Sequence, residues 1–151
     1  MGNECIFCQI ARGQAPASRV YEDDQVVAFL DIHPVTPGHT LVIPLEHSAG
    51  LAELDPTLGR HMFTVASRVA AAIRASDLPS EGINLFLADG AAAGQEVFHT
   101  HLHVFARFRG DGFGIRAQRE LPEREVLDGH ALSIQAAFEQ LDRLGADSRV
   151  E

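Results

Sequence analysis

The feature that most constrains this chain is the alternating stretch HTHLHVFAR at residues 99–107. Successive side chains of a β-strand point to opposite faces, so alternation of this kind predicts a strand. One face of that strand would carry three imidazoles and a phenyl ring: His99, His101, His103 and Phe105. The other face is mostly apolar and would pack on a core: Thr100, Leu102, Val104 and Ala106. We therefore expect a half-buried strand that presents a row of histidines.

Three interpretations of this histidine row are open. Solvated histidines on a polar face are the simplest, but three of the eight histidines fall in this short stretch and His has no strong strand preference. One metal bound by all three is disfavoured, because His99 and His103 would have Cα atoms about 13 Å apart on a strand and a zinc–nitrogen bond is about 2.1 Å. The third is a division of labour, with one nucleophilic imidazole and neighbours that bind and orient the substrate.

The rest of the sequence predicts an α+β fold. The clearest helix covers residues 57–75, where apolar side chains recur every three or four residues after the start signal Asp55-Pro56. A less regular helix is predicted over residues 122–145. Neighbouring strands with one long central helix and a C-terminal helix favour an antiparallel sheet of about five strands. Besides the histidine strand, short apolar runs between turn residues predict strands at residues 20–22, 25–30, 40–44 and 83–87.

The composition fits one globular domain and excludes several classes of function. The chain has 151 residues, a net charge of −9 and no lysine, so mechanisms that need a lysine, such as Schiff-base chemistry or a P-loop, are ruled out. No basic stripe exists for duplex nucleic acid, and no apolar run reaches the roughly 18 residues of a membrane helix. We expect a single domain over residues 1–151, in the cytoplasm, with no nucleic-acid or membrane partner.

The two cysteines, Cys5 and Cys8, form one Cys-x-x-Cys pair. In a reducing compartment this spacing indicates half of a metal site or a redox dithiol, not a structural disulfide. The redox dithiol is the weaker alternative because no thioredoxin-like βαβ pattern follows the pair, and two free thiols are the third. Zinc would need two further ligands to reach its usual four.

Three blocks in the same order resemble the histidine triad superfamily of nucleotide hydrolases and transferases, in its Hint-like branch. They are CIFCQIARGQAP near the N-terminus, VVAFLDIHPVTPGHTLVIPLEH in the centre and GQEVFHTHLHVFAR around the histidine row. The resemblance covers roughly residues 4–114 and leaves residues 115–151 as an extension. It implies a homodimer whose sheets join side by side. It also implies hydrolysis or transfer of a nucleoside monophosphate, from a purine phosphoramidate or a related conjugate.

The resemblance implies roles for individual residues as well. His101 would attack the α-phosphorus and form a nucleotidyl-histidine intermediate, without a metal at the reacting phosphate. His103 would donate to a phosphate oxygen or protonate the leaving group. The other implied contacts hold the nucleotide: Asp31 the ribose, Ile32, Ile6, Phe7, Ile10 and Phe29 the base, and the backbone N–H groups of Gly94 and Gln95 the phosphate. Metal-bearing relatives imply a structural zinc held by Cys5, Cys8, His47 and His99.

Two positions depart from the family pattern. Glu96 stands where relatives often carry a hydroxyl that contacts phosphate, and a carboxylate there would repel the anion. Ala88 stands where relatives often carry an amide, for which the adjacent Asp89 could substitute. Three alternative functions stay open: a dinucleoside polyphosphate hydrolase, a non-catalytic nucleotide-binding protein, and a metal-dependent enzyme of the cupin type that uses an HxH pair as ligands.

The remaining histidines and cations carry weaker signals. His39 follows a Pro-Gly pair at the start of a predicted strand, where we expect a structural hydrogen bond. Three others are expected on the surface or in loops: His33, His61 and His130. Because the net charge of −9 opposes attraction of an anionic nucleotide, the binding site must be favourable locally. Arg107 and Arg109 could contribute, although solvated positions are the default interpretation.

Overall fold

The computed structural model of this chain describes residues 5–115, 117 and 119–147. The chain divides into two compact units, Met1–Phe113 and Gly114–Glu151. The α+β class predicted from the sequence is confirmed. The elements follow one another as α1 (Ile6–Ala11), β1 (Arg19–Glu22), β2 (Val26–Leu30), β3 (Thr40–Pro44), α2 (Pro56–Ala75), β4 (Gly82–Phe86), a 3₁₀ turn (Ala91–Ala93), β5 (Leu102–Arg107) and α3 (Arg124–Asp147).

The first unit is built on a five-stranded antiparallel sheet with the order β1-β2-β3-β5-β4. β5 lies between β3 and β4, so both of its edges are hydrogen-bonded. His103 of β5 stands opposite Leu41 on β3 and opposite Phe86 on β4. This histidine is therefore fixed in the middle of the sheet.

A helix packs on each face of the sheet, so β2 and β3 are buried on both sides. On one face α2 packs over strand residues Val26, Ala28, Val42, Val104 and Ala106. α2 contributes its buried stripe there: Met62, Val65, Ala66, Val69, Ala70 and Ile73. On the other face α1 contributes Phe7 and Ile10, which pack with Val27, Phe29, Leu41 and Ile43. Neighbouring strand residues enter opposite cores, which places His103 on the face of α1.

The long helix begins and ends close to where the sequence predicts. The Asp55 side chain accepts hydrogen bonds from the N–H groups of Thr57 and Leu58 at 2.8 and 3.1 Å, which satisfies donors that a helix N-terminus leaves free. Pro56 occupies the first helical position, where no N–H is needed. The predicted apolar stripe faces the sheet, so periodicity and capping both agree with the tertiary structure.

The predicted histidine strand is wrong at its N-terminal end. β5 begins only at Leu102, which pairs with Val42 of β3. The same register would bring Thr100 opposite Pro44, and proline has no N–H to donate to the ladder. The N–H of Thr100 bonds instead to the Ser48 carbonyl at 2.6 Å. The first two histidines of the row therefore lie before the strand, and only the third lies on it.

Two helices also differ from the prediction. No helix was predicted around the cysteine pair, yet α1 starts directly after Cys5 and buries Phe7, Cys8 and Ile10. Six residues are too few to show a clear helical period. The C-terminal helix runs from Arg124 to Asp147 rather than over 122–145, so each of its ends lies two residues further along the chain than predicted.

The second unit contains α3, which carries apolar side chains that are exposed. They recur along the helix: Val126, Leu127, Leu132, Ile134, Phe138, Leu141 and Leu144. Among the described residues, no helix has both the length and the apolar content that crossing a bilayer requires.

Shortening Met62 to Ala should destabilise the first unit. This side chain is 2% exposed under the sheet, and removing a buried Met leaves a cavity that costs about 2–5 kcal/mol. Thr64→Ala on the exposed side of the same helix should change the free energy of unfolding by less than about 0.5 kcal/mol. Urea titrations of both variants measure the difference, and equal values would contradict the packing of α2.

Candidate functional site

The four predicted metal ligands come together at one end of the sheet. Cys5 precedes α1, Cys8 lies one turn along it, His47 follows β3 and His99 precedes β5. Their ligand atoms all lie within 4.8 Å of one another. The Cys8 Sγ is 3.3 Å from His47 Nδ1 and 3.5 Å from His99 Nδ1, and the Cys5 Sγ is 3.6 Å from His99 Nδ1.

These separations fit a tetrahedral zinc ion. Zinc–sulfur bonds of about 2.3 Å and zinc–nitrogen bonds of about 2.1 Å, at a tetrahedral angle, place sulfur and nitrogen about 3.6 Å apart. The set of two thiols and two imidazoles is also one that structural zinc prefers. Burial raises the pKa of the Cys8 thiol, so a cation is what would favour its thiolate. The cluster can therefore hold a metal.

His99 is already oriented as a ligand by a second contact. It is completely buried, and its Nε2 lies 2.9 Å from the Pro44 carbonyl oxygen. A carbonyl only accepts, so Nε2 carries the proton and Nδ1 presents its lone pair to the two sulfurs. Burial lowers the pKa of His99, which keeps the ring neutral, as a metal ligand must be. Both ring nitrogens of His99 are therefore engaged, one by the Pro44 carbonyl and the other by the two sulfurs.

His101 is held in a tautomer that suits a nucleophile. It is 6% exposed, and its Nδ1 donates to the backbone carbonyl of His99 at 2.7 Å. The neutral ring therefore carries its lone pair on Nε2, on the side away from that carbonyl. The ring of Phe7 lies edge-on against it, with centroids 5.2 Å apart. Packing and one hydrogen bond together restrict the direction in which Nε2 can point.

His103 lies beside His101, with ring centroids 4.9 Å apart. Its Nδ1 is 2.9 Å from Nε2 of His39, a buried histidine at the start of β3. Burial, reinforced by the two neighbouring imidazoles, lowers the pKa of His103 to about 4. Burial likewise lowers the pKa of His39. Both rings are therefore neutral at neutral pH.

Asp31 lies at the end of β2 next to this histidine pair. Its Oδ1 accepts from the N–H of His33 at 2.8 Å, and its Oδ2 lies 3.7 Å from His39 Nδ1. The ligand atoms of Asp31, His39 and His103 fall within 4.8 Å of one another, close enough to hold a cation. The hydrogen bond between His39 and His103 already explains why these two rings are close, without a cation between them. Ile32 is 87% exposed and free to meet a ligand.

The residues predicted to line a base pocket divide into two groups. Phe7, Ile10 and Phe29 are buried in the core on the α1 face, and the rings of Phe7 and Phe29 meet edge-on at 5.6 Å. Ile6 and Ile32 are exposed. The buried members therefore form part of the core next to the site, and the ring of Phe7 contacts the ring of His101.

The loop before the histidine row is tied together internally. The N–H of Gly94 bonds to the Ala91 carbonyl at 3.0 Å, and the N–H of Gln95 to the Gly90 carbonyl at 3.2 Å. These are the two donors predicted to bind phosphate, so that role requires their local bonds to open or to be shared. The Gln95 side chain is buried and was not predicted to be structural. It accepts from Gly90 N–H at 2.7 Å and donates to the Ala49 carbonyl at 2.7 Å.

The two positions that depart from the family pattern differ in their burial. Glu96 is exposed and Ala88 is buried. Asp89, the suggested substitute for an amide, accepts from the N–H of Leu51 at 3.0 Å. Arg107 is engaged in the turn after β5, where it donates to Asp111, Asn84 and the Phe113 carbonyl.

The other histidines contribute no ligand atom to these clusters. His61 sits on α2 and its Nε2 is 2.7 Å from Asp23. His33 and His130 are exposed, in the loop after β2 and on α3. His39 makes the structural hydrogen bond expected of it, and because its partner is His103, it also lies in the candidate site.

Known proteins match most of the chain. The sequence model of the HIT domain family matches residues 12–110. An uncharacterized HIT-like protein of Borreliella burgdorferi is 49% identical over 136 residues, which cover 89% of this chain and 97% of that protein. The adenylylsulfatase HINT3 of Arabidopsis thaliana is 39% identical over 109 residues, which cover 72% of this chain and 55% of that protein.

Solved structures match the fold as well. A HIT family protein from Bacillus anthracis superposes with a TM-score of 0.83 at 41% identity, covering 91% of this chain and 99% of that chain. A zinc-bound histidine triad family protein from Mycobacterium smegmatis superposes with a TM-score of 0.71 at 45% identity, covering 93% of this chain and 96% of that chain.

Acidification should destabilise the fold through His103. Its pKa falls from the ordinary 6.5 to about 4, so between these values the unfolded chain binds a proton that the folded chain excludes. Stability is therefore lost as pH falls through this window, by up to about 1.4 kcal/mol per pH unit for one proton. Urea titrations at several pH values in this window give the free energy of unfolding as a function of pH. This free energy should fall less steeply with decreasing pH in His103→Gln than in the wild type. The control His130→Gln, which changes an exposed side chain, should keep the wild-type pH dependence. The same pH dependence in the wild type and in both variants would contradict the burial of His103.

Proposed function

Because this chain belongs to the histidine triad (HIT) family, we propose that it hydrolyses or transfers nucleoside monophosphates. The substrate would be a purine phosphoramidate-type conjugate, and the reaction would occur at its α-phosphate. The observation that carries the proposal is the orientation of His101. Its Nδ1 donates to the His99 carbonyl, so the neutral ring offers the Nε2 lone pair that a displacement at phosphorus needs.

The reaction would run in two displacements. In the first, His101 Nε2 attacks the α-phosphorus and a nitrogen–phosphorus bond forms. The bond from phosphorus to the leaving nitrogen breaks, and that nitrogen takes up a proton from His103 or from water. In the second, water attacks the same phosphorus and loses a proton to solvent, the bond to His101 breaks, and a nucleoside monophosphate leaves. Covalent catalysis of this kind replaces one difficult step by two easier ones.

His103 would act on the same phosphate from the neighbouring position on β5. It donates either to a phosphate oxygen or to the leaving group, and its ring lies 4.9 Å from that of His101. Gly94 and Gln95 would add backbone donors once their local bonds open. Such donors stabilise charge that develops on the phosphate oxygens.

The nucleoside would lie over the α1 face of the sheet. The Asp31 carboxylate would accept from the ribose hydroxyls, and the exposed Ile32 would cover the base. Phe7 and Phe29 would form the floor of this pocket. The Arabidopsis relative named an adenylylsulfatase supports an adenylyl group as the transferred unit.

We also propose a structural zinc on Cys5, Cys8, His47 and His99. The donor geometry fits, and the Mycobacterium smegmatis relative is zinc-bound. The ion would fix the residue whose carbonyl orients His101, and it would take no part at the phosphorus. No disulfide joins Cys5 and Cys8, which fits a reducing compartment, so we propose a cytoplasmic location.

A homodimer would form through the open edge of β4. This strand pairs with β5 on one side, and on its other side no strand lies among the described residues. Leu85 and Phe86 of β4 are exposed. A second copy that adds its own β4 there would join the two sheets side by side, which is how an unpaired edge is commonly satisfied.

Replacing the nucleophile should abolish turnover without unfolding the protein. Release of AMP from adenosine 5′-phosphoramidate by His101→Ala should fall by at least about 10³-fold. His130→Ala is the matched control, because it removes an exposed imidazole on α3, and it should keep wild-type activity. AMP binding without turnover in the wild type would favour the non-catalytic alternative. Turnover of dinucleoside polyphosphates alone would favour the other substrate class.

Metal analysis should find one zinc per wild-type chain. His47→Gln should lose it, because this change removes one of the four donors while leaving the catalytic pair intact. His61→Gln, which removes an imidazole outside the cluster, should retain it. A wild-type protein that is purified without chelators and carries no zinc would contradict this proposal.

A further inference from the structure

A cleft lies on the α2 face of the sheet, the face opposite to the one that carries His103. This α2 cleft has a volume of about 300 Å³ and is lined by residues of β1, β2, β3, α2 and the chain that follows α2. Its large apolar side chains are Val20, Leu30, Val65, Val69, Ile73 and Leu78. Small-molecule sites have mostly apolar walls, a few polar groups and volumes of about 300–1,000 Å³. The α2 cleft therefore has the size and lining of a ligand site, and none of its lining residues belongs to the proposed nucleotide site.

Arg68 is the polar side chain of this lining that keeps donors for a ligand. The hydroxyls of Thr40 and Ser76 each donate to a backbone carbonyl nearby, at 2.9 and 2.7 Å. A guanidinium has five N–H donors, and among the described residues one acceptor faces that of Arg68, the Tyr21 hydroxyl at 3.2 Å. Within the same part of the chain, Arg68 forms no ion pair.

The carboxylate on the other side of Tyr21 is already fully engaged. Asp23 Oδ2 accepts from the Tyr21 hydroxyl at 2.7 Å and lies 2.7 Å from His61 Nε2. Its Oδ1 accepts from two backbone N–H groups of the following turn, both at 2.9 Å. These four contacts fill the lone-pair sites of the carboxylate. The Arg68 guanidinium lies over the Tyr21 ring, 4.9 Å from its centroid, so this cation is oriented at the cleft while the acid is bound elsewhere.

We propose that the α2 cleft binds a medium-chain monocarboxylate, with its apolar chain along α2 and its carboxylate on Arg68. A guanidinium matches a carboxylate in charge and in shape, and hydrogen bonds between them are about twice as strong as neutral ones. A water-sized group takes up about 30 Å³ in a liquid, so the cleft holds about ten non-hydrogen atoms. The straight-chain acid of this size is octanoate, which serves as the probe.

Titration of the ¹⁵N-labelled wild-type protein with octanoate, followed by NMR below the concentration at which octanoate forms micelles, tests the site directly. The amide signals of cleft residues such as Val69 and Ile73 should shift and saturate. 1-Octanol has the same chain without the charge, and it should bind at least about 10-fold more weakly because it loses the charge-assisted hydrogen bonds. Absence of shifts in the cleft, or equal affinity for the two probes, would overturn the proposal, and both measurements use the unaltered chain.

Two pairs of variants separate the charge from the shape of the cleft. Arg68→Met should weaken octanoate binding by at least about 10-fold and leave 1-octanol binding unchanged, because methionine keeps an apolar stem. Arg74→Met removes an exposed guanidinium of α2 outside the lining and should bind octanoate like the wild type. Ala72→Phe places a ring in the cleft and should abolish binding of both probes. Ala71→Phe adds the same ring at an exposed position outside the lining and should not.

A second copy of the chain is the competing occupant of the cleft. In that case the signals of cleft residues would change with protein concentration in the absence of octanoate, and octanoate would not bind. That result would overturn the proposal, as would wild-type affinity for octanoate in Arg68→Met or in Ala72→Phe. Turnover of a nucleotide conjugate plays no part in these measurements, so they stand apart from the test of His101.

Discussion

The arrangement of the whole site depends on where the ladder between β3 and β5 ends. Pro44 closes β3 and has no N–H to continue the pairing. The chain before β5 is therefore released from the sheet, and His99 turns back so that its Nε2 donates to the Pro44 carbonyl. A continuous strand would have kept the three imidazoles at regular intervals along one face. Ending the ladder early is what lets them take three different environments.

The three histidines of the row differ only in the groups behind them. The Pro44 carbonyl accepts a hydrogen bond from Nε2 of His99, and the His99 carbonyl accepts one from Nδ1 of His101. At His103 the direction is reversed: Nε2 of His39, whose Nδ1 accepts from the N–H of Val35, donates to Nδ1 of His103. These contacts are made on the side of each ring that faces the protein. The other nitrogen of each ring carries a lone pair if the contacted nitrogen donates, and a proton if the contacted nitrogen accepts. The tautomer of each histidine in the row is therefore set by the group that contacts its ring from the protein side.

The sequence predicts those parts of the structure that depend on local patterns. The period of the apolar residues and the Asp55-Pro56 signal located α2, and alternation in LHVFAR located the whole of β5. The family resemblance brought together Cys5, Cys8, His47 and His99, which no local pattern connects. The loss of strand at His99 could not be predicted from the row alone, because it depends on a proline in another strand.

Other misses have the same origin. α1 is a helix of six residues whose apolar side chains face a core made by distant strands. His39 looked like an isolated structural histidine because its partner enters through the pairing of β3 with β5. The Gln95 side chain joins Gly90 to Ala49, a contact that depends on how two loops meet. In each case the missing information was a non-local pairing, which spacing along the chain does not encode.

His99 combines two tasks in one residue, and this creates a thermodynamic linkage. Its imidazole belongs to the cysteine cluster, while its carbonyl oxygen accepts the hydrogen bond that orients the His101 ring. A metal that stabilised one position of His99 would therefore also stabilise the matching orientation of the His101 ring. Coupling of this kind is reciprocal. With the proposed zinc and nucleotide bound, a nucleotide that prefers this orientation of His101 would strengthen metal binding by the same factor, and would therefore protect the zinc from chelators.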